Sequence, residues 1–256
     1  GSEMCIRDRK EFAREGKSIL FISHKLNEIM AVADRVTVLR KGRCIGTVNT
    51  CDTNKQELSN MMVGRPVQLV IDKTPARPGE EILHVEDLCV LSHLHKRNAV
   101  DHVSFSVRAG EIVCIAGIDG NGQTELIHGL TGLDKITGGS VTLCGETITH
   151  ASIRRRGRNM SHIPEDRHKH GLVLDFTLEQ NLVLQRYKEP QFQHGGFIRR
   201  DAVRAYADRL IEQFDVRSGQ GAVTIARSMS GGNQQKAIIA REVDRDKPLI
   251  IAVQPT

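Results

Sequence analysis

The chain has 256 residues with 39% hydrophobic and 26% charged side chains, a composition that excludes a disordered or fibrous protein and allows one large domain or two modest ones. Its longest apolar runs, Ile19 to Ile22 and Leu249 to Val253, fall far below the roughly 18 residues that cross a bilayer as a helix. The net charge of +5 is unclustered, which favours a small anion such as a nucleotide over nucleic acid. Six cysteines (Cys5, Cys44, Cys51, Cys89, Cys114, Cys144) lack CxxC spacing and follow no secretory segment. They read as small buried hydrophobes in a reducing, cytosolic compartment.

Residues 1–9 match nothing that follows, and their Gly-Ser start resembles a cloning remnant. EFAREG reads as a helix capped by Gly16, followed by a strand from Ser18 to Ile22 and a helix from Leu26 to Ala33. Strands Arg35 to Leu39 and Cys44 to Val48 flank a Lys41-Gly42 turn. Residues 10–64 carry too little apolar content to enclose a core alone, so something is expected to be missing upstream. Pro66, Pro75, Pro78 and Gly79 mark a linker over residues 65–80.

The second domain, residues 81–256, opens with a strand pattern at Ile82. Strands follow at Val103 to Val107 and Glu111 to Ile115, then a glycine-rich turn, a helix from Thr124 to Leu130 and a strand from Ser140 to Leu143. The basic run Ile153 to Arg158 reads as a solvated helix face. Val203, Tyr206, Leu210, Ile211 and Phe214 share one face of an amphipathic helix, a further helix starts after Gly232, and strand Leu249 to Val253 closes the chain. The order implies an α/β domain with an inserted helical part. Both ends read as cut.

Residues 117–124, GIDGNGQT, fit the phosphate-loop pattern GxxxxGK[ST] except for Gln123 at the lysine position. Gly117, Ile118, Asp119, Gly120, Asn121, Gly122, Gln123 and Thr124 are therefore candidate nucleotide contacts, the glycines keeping Cβ atoms away from the phosphate. A plain glycine-rich turn is the other reading. Gln123 brings no positive charge, so transition-state stabilisation suffers more than binding. Some 108 residues on, SMSGGNQQK places Ser230, Gly231, Gly232, Asn233 and Gln234 at a helix start, either as an anion site or as a simple cap.

SGGNQQK resembles the signature motif of ABC-type ATPases, in the variant of sugar and nucleoside importers. Other segments fall in family order. LIIAVQPT resembles the Walker B strand, with Val253 and Gln254 where the family has its magnesium-linked aspartate and catalytic glutamate. IPEDRHKHGL resembles the γ-phosphate-sensing loop, with Glu165 where many relatives carry glutamine. SILFISHKLNEIMAVADRVTVLRKGRCIGT resembles the tail of a preceding ABC domain, with His24 as the switch histidine.

The resemblance covers nearly the whole chain from Glu11 and is nearest to ATP-binding proteins of bacterial nucleoside importers. It implies an α/β P-loop NTPase of ABC type, with a mostly parallel sheet, an antiparallel β part and an inserted helical subdomain. It further implies ATP and Mg²⁺ as cofactors, Thr124 as the magnesium contact, and catalytic positions His24, Glu165 and Gln254. Partners would be integral membrane permease subunits and, through them, an extracytoplasmic solute-binding protein, with the ATPase peripheral on the cytoplasmic face. In the family's head-to-tail pairs, His24 and Ser230 to Gln234 would serve a working site built on another phosphate loop. The site on residues 117–124 would be degenerate. A non-hydrolysing regulatory nucleotide binder and a ribosome- or DNA-associated tandem ABC ATPase are the alternatives. The His168/His170 and His93/His95 pairs lack converging acidic or thiol partners in sequence and are not read as metal ligands.

Overall fold

A computed structural model describes residues 8–9, 11–66, 75–92, 95–118 and 120–255. The chain divides into two compact units, Gly1–Pro75 and Ala76–Thr256.

In the first unit, helix α1 includes residues 11–14 and ends at Gly16, whose φ of +83° is the left-handed value a helix stop uses. Helix α2 (Leu26–Val32) is followed by the antiparallel hairpin β1 (Arg35–Arg40) and β2 (Arg43–Asn49) and by helix α3 (Lys55–Val63). Lys41 and Gly42 both have positive φ, the geometry that matches strand twist in a two-residue turn. Asn54 caps α3 by accepting a hydrogen bond from the Glu57 amide. Ile29, Val38 and Leu58 form a small buried core, ringed by Leu26, Met30, Val36, Val48 and Met61.

The expected strand from Ser18 to Ile22 is not formed. A strand needs a neighbour to take its backbone groups, and no described residue pairs with it; Leu20 and Ile22 are 97% and 99% exposed.

The second unit is built from three packed parts. The first is an antiparallel sheet of order β4-β3-β5-β6, made of β3 (Glu81–Leu91), β4 (Asn98–Arg108), β5 (Ile136–Leu143) and β6 (Glu146–Thr147). Helix α4 (Gln123–Thr131) lays Leu126 and Leu130 on this sheet, joining Leu83, Val85, Leu88, Val90 and Val141 in the core. Gly129 lets it approach closely, because a side chain there would meet Val90.

Next come the short helix α5 (Ile153–Arg156), strand β7 (Met160–Ile163) and strand β10 (Leu249–Ala252). Parallel pairing is confined, among the described residues, to β7 and β10, which form a separate two-stranded sheet in register from Leu249 opposite Met160 to Ala252 opposite Ile163. The third part is helical: α6 (Leu178–Val183), the small hairpin β8 (Gln193–His194) and β9 (Phe197–Ile198), α7 (Arg200–Gln213) and α8 (Gly231–Asp244). Helix α6 starts with a reciprocal Thr177–Gln180 capping box. On α7, Val203, Tyr206 and Leu210 are buried, with Ile211 and Phe214 against the same cluster, so the expected apolar face is the packed one.

Three further expectations fail. The expected strand from Glu111 to Ile115 is not formed, and Ile112 and Ile115 are 79% and 45% exposed, again for want of a ladder partner among the described residues. Of the described cysteines only Cys89 is buried. Cys44, Cys51, Cys114 and Cys144 are exposed because they lie in turns, at a strand start or on the unpaired segment 111–118.

The basic run is not wholly solvated either. Arg156 is 3% exposed and donates to the carbonyls of Gly129, Leu130, Thr149 and Ala151. Two of these are end carbonyls of α4 that the helix itself leaves without donors. Replacing Arg156 by Ala should lower unfolding free energy by about 3 kcal/mol in urea titrations, since several buried acceptors lose a charged donor together. Arg156→Lys should recover only part, because an ammonium cannot reproduce the planar fork.

Candidate nucleotide-binding site

Helix α4 begins directly from the glycine-rich loop, with Gly122 at its N-cap and φ of +91°. A Cβ at Gly122 would collide with the Ala99 carbonyl, so the turn into α4 accepts only glycine there. No side chain caps α4. Its first-turn amides therefore carry the partial positive charge that suits a phosphate. Gln123 folds back over Gly117 and donates from Nε2 to the Ile118 carbonyl at 3.3 Å, so its amide serves the loop itself. Asp119 lies outside the described residues.

Beside the loop is a cavity of about 160 Å³ lined by Thr124, Ile127 and His128 of α4, His162 of β7, Pro164, Glu165, Asp166, Lys169 and His170 of the following loop, and Val253. Gln254, left-handed at φ +43°, donates from Nε2 to Glu165 Oε1 at 3.3 Å. Thr124, Glu165, Val253 and Gln254, far apart in sequence, thus come to one place. Asp166 accepts from the amides of His168 (2.8 Å) and Lys169 (3.0 Å), which hold its carboxyl below the usual range and fix the π-turn Arg167–Gly171.

The signature residues form a second group outside the cavity lining. Ser230 is the N-cap of α8, and its Oγ accepts from Asn233 Nδ2 at 2.9 Å, while Asn233 Oδ1 accepts from the Arg217 amide. Gly231 lies against the Arg167 guanidinium, and Gly232 has open space beside it. Gln234 pairs its Oε1 with His168 Nε2 at 3.0 Å and donates to the Ala226 carbonyl. This contact ties the start of α8 to the 163–172 loop. His24 belongs to the first unit, where it is exposed in the stretch before α2.

The three histidines of the cavity, His128, His162 and His170, are not among the site residues expected from the sequence. His128 lies four residues after Thr124, which puts both on one helix face and could have flagged it. The His128 and His170 rings meet edge to face at 5.7 Å, and His128 also contacts Asp134. His162 points Nε2 into buried space without a partner among the described residues. Burial pushes its pKa down to about 4, against the pull of Glu242 and with help from His128 and His170.

The unfolded chain therefore binds a proton at His162 below about pH 6.5 that the folded chain refuses until about pH 4. Stability from this group is complete above that window and falls as pH drops through it. Acidification from pH 7 to pH 5 should remove roughly 2 kcal/mol, and His162→Phe should flatten the difference in urea titrations at the two pH values.

Residues 100–256 match the ABC transporter family. The chain is 48% identical over 248 residues to the nucleoside import ATP-binding protein NupA of Lactococcus lactis subsp. cremoris, covering 96% of this chain and 49% of that protein. It is 48% identical over 248 residues to the guanosine import ATP-binding protein NupO of Bacillus subtilis, covering 96% and 48%. With the ribose import ATP-binding protein RbsA 2 of Rubrobacter xylanophilus the identity is 34% over 244 residues, covering 95% and 45%. The chain spans about half the length of the curated relatives it matches. A solved ATP-binding subunit of an ABC transporter shares the fold with a TM-score of 0.54 at 23% identity, over 68% of this chain and 66% of that one. A nucleotide-free ATP-binding cassette does so at 0.55 and 20%, over 69% and 70%. On these grounds, and on the α/β cassette fold itself, the chain belongs to the ABC transporter family.

Proposed function

We propose that this chain is part of the ATP-binding subunit that energises a membrane importer, and that the ATP site on residues 117–124 binds nucleotide with little or no hydrolysis. The observation that carries the reading is the uncapped start of α4 opening beside a cavity walled by Val253. The phosphate cradle is present. Gln123 brings no charge, Val253 no oxygen, and Gln254 an amide that does not accept a proton from water at neutral pH. Glu165 and Asp166 bring two carboxylates to the cavity lining, and Asp166 is already held by the amides of His168 and Lys169.

The donor set fits a magnesium ion that arrives on the triphosphate. The Thr124 hydroxyl and Glu165 carboxylate would be its protein ligands, and the ion would neutralise phosphate charge. The identity of 48% to proteins named for nucleoside and guanosine import favours nucleosides over simple sugars as the imported solute. The partners would then be permease subunits in the membrane and, through them, an extracytoplasmic solute-binding protein. No described helix is long and apolar enough to cross a membrane, in keeping with a peripheral subunit.

The test is equilibrium binding of labelled ATP to the chain and to Asn121→Glu. Asn121 is exposed, so a carboxylate there should not disturb folding but should repel phosphate and weaken ATP binding about tenfold. Equal binding by both proteins would place the nucleotide elsewhere. Rapid phosphate release by the isolated chain would overturn the claim of a weakly hydrolytic site.

A further inference from the structure

We propose that Cys89, Asp101 and His102 form a binding site for a divalent transition-metal ion of the zinc type, between β3 and β4. Cys89 Sγ, a ring nitrogen of His102 and a carboxylate oxygen of Asp101 lie within 4.8 Å of one another. Zinc bonds of about 2.0–2.3 Å place tetrahedral ligands roughly 3.5 Å apart, so side-chain rotations of about 1 Å close the set. None of the three lines the nucleotide cavity.

The backbone explains why these groups converge. Consecutive strand residues normally face opposite sides of a sheet. His102 breaks that alternation with φ of +53°, and across from it β3 breaks register beside Asp87, at φ +54°. Gly139 accepts this bulge, since a side chain there would collide with the Asp87 carbonyl. The paired irregularities bring Asp101 and His102 to the same side as the thiol.

The second layer fits metal binding as well. Asp87 Oδ1 lies 2.7 Å from His102 Nδ1, which leaves Nε2, 4.0 Å from Asp101 Oδ1, as the nitrogen with a lone pair to give. A carboxylate behind a histidine is the arrangement that orients metal-ligating imidazoles. The His102 amide donates to Cys89 Sγ at 3.4 Å, which holds the sulfur beside the imidazole. Asn98 Nδ2 steadies Asp101 Oδ1 at 2.7 Å. Opposite Cys89 on β5 is Gly138, so no side chain covers the sulfur from that strand.

One thiolate, one imidazole and one carboxylate select a borderline-soft ion such as Zn²⁺ or Co²⁺ over Mg²⁺ or Ca²⁺. Asp101 and His102 are exposed, so water would fill the fourth position.

Cobalt titration of the chelator-treated 256-residue chain tests this. The expected result is one equivalent of Co²⁺ bound with a thiolate-to-cobalt charge-transfer band, displaced by Zn²⁺. Cys89→Ser should abolish the band. Asp101→Ala and His102→Ala, both at exposed positions, should weaken Zn²⁺ at least about tenfold with far-ultraviolet circular dichroism unchanged, and Asp87→Asn should weaken it about 10–100-fold. Replacing Cys44, Cys51, Cys114 and Cys144 together by Ser should leave the band intact. Absence of the band in the unsubstituted chain, its loss in that fourfold variant, or unchanged Zn²⁺ affinity in His102→Ala would each overturn the proposal.

Discussion

Glu242→Ala is expected to lower the unfolding free energy by about 3–5 kcal/mol. Glu242 is fully buried on α8. Its carboxylate accepts from Arg241 Nε at 2.8 Å, Arg245 Nη1 at 2.7 Å, Gln185 Nε2 at 3.1 Å and the His162 amide at 3.4 Å. Arg241 is itself buried, so removing the carboxylate strands a guanidinium with, among the described residues, only the Asn181 carbonyl, at 3.4 Å, to take its protons.

A double change distinguishes stranded charge from lost packing. Glu242→Leu with Arg241→Met should be less destabilised than Glu242→Leu alone in urea titrations, because the pair then leaves no uncompensated charge. If the double variant loses the sum of the two single losses, packing and not charge governs the site. The cluster also has a functional reach: Ser161 Oγ donates to the Glu242 carbonyl, so α8, which begins with the signature residues, is pinned to β7, which leads into Glu165.

Local signals in the sequence were strong wherever a segment's structure depends on its own residues. Gly16 ends a helix as expected, and the Lys41-Gly42 turn joins the two strands expected to flank it. The five-residue stripe on α7 packs as its period requires. Segments 18–22 and 111–115 read as strands because they are apolar and β-branched, yet a strand exists only through a neighbour, which no periodicity supplies. Arg156 and Glu242 were opaque for a related reason: the burial of a charge depends on partners far along the chain, such as the Leu130 carbonyl that accepts from Arg156, 26 residues away, and the Gln185 amide that donates to Glu242, 57 residues away.

The candidate site divides in the same way. The phosphate-loop and signature segments are contiguous and could be read directly. The histidines around the cavity come from three separate elements, and only His128 had a helical spacing that could betray it.

Combining Gln123→Lys, Val253→Asp and Gln254→Glu in the intact protein that carries this chain should raise phosphate release at this site by about a hundredfold or more, the scale of a positioned base joined to charge stabilisation. The gain should be strongly pH-dependent, for a reason visible in the cavity. Gln254 now donates to Glu165 across 3.3 Å, an amide matched to a carboxylate. A glutamate at 254 would set two carboxylates against each other, and such a pair holds one proton up to an unusually high pH. The threefold variant should therefore work best at alkaline pH, where both groups are ionised. Adding Glu165→Gln restores a donor facing an acceptor with the roles exchanged, and should raise activity near neutrality and move the pH profile down. Unchanged turnover in both variants would show that the three lost groups do not limit hydrolysis. A threefold variant with no pH shift would show instead that Glu165 and residue 254 separate once nucleotide binds.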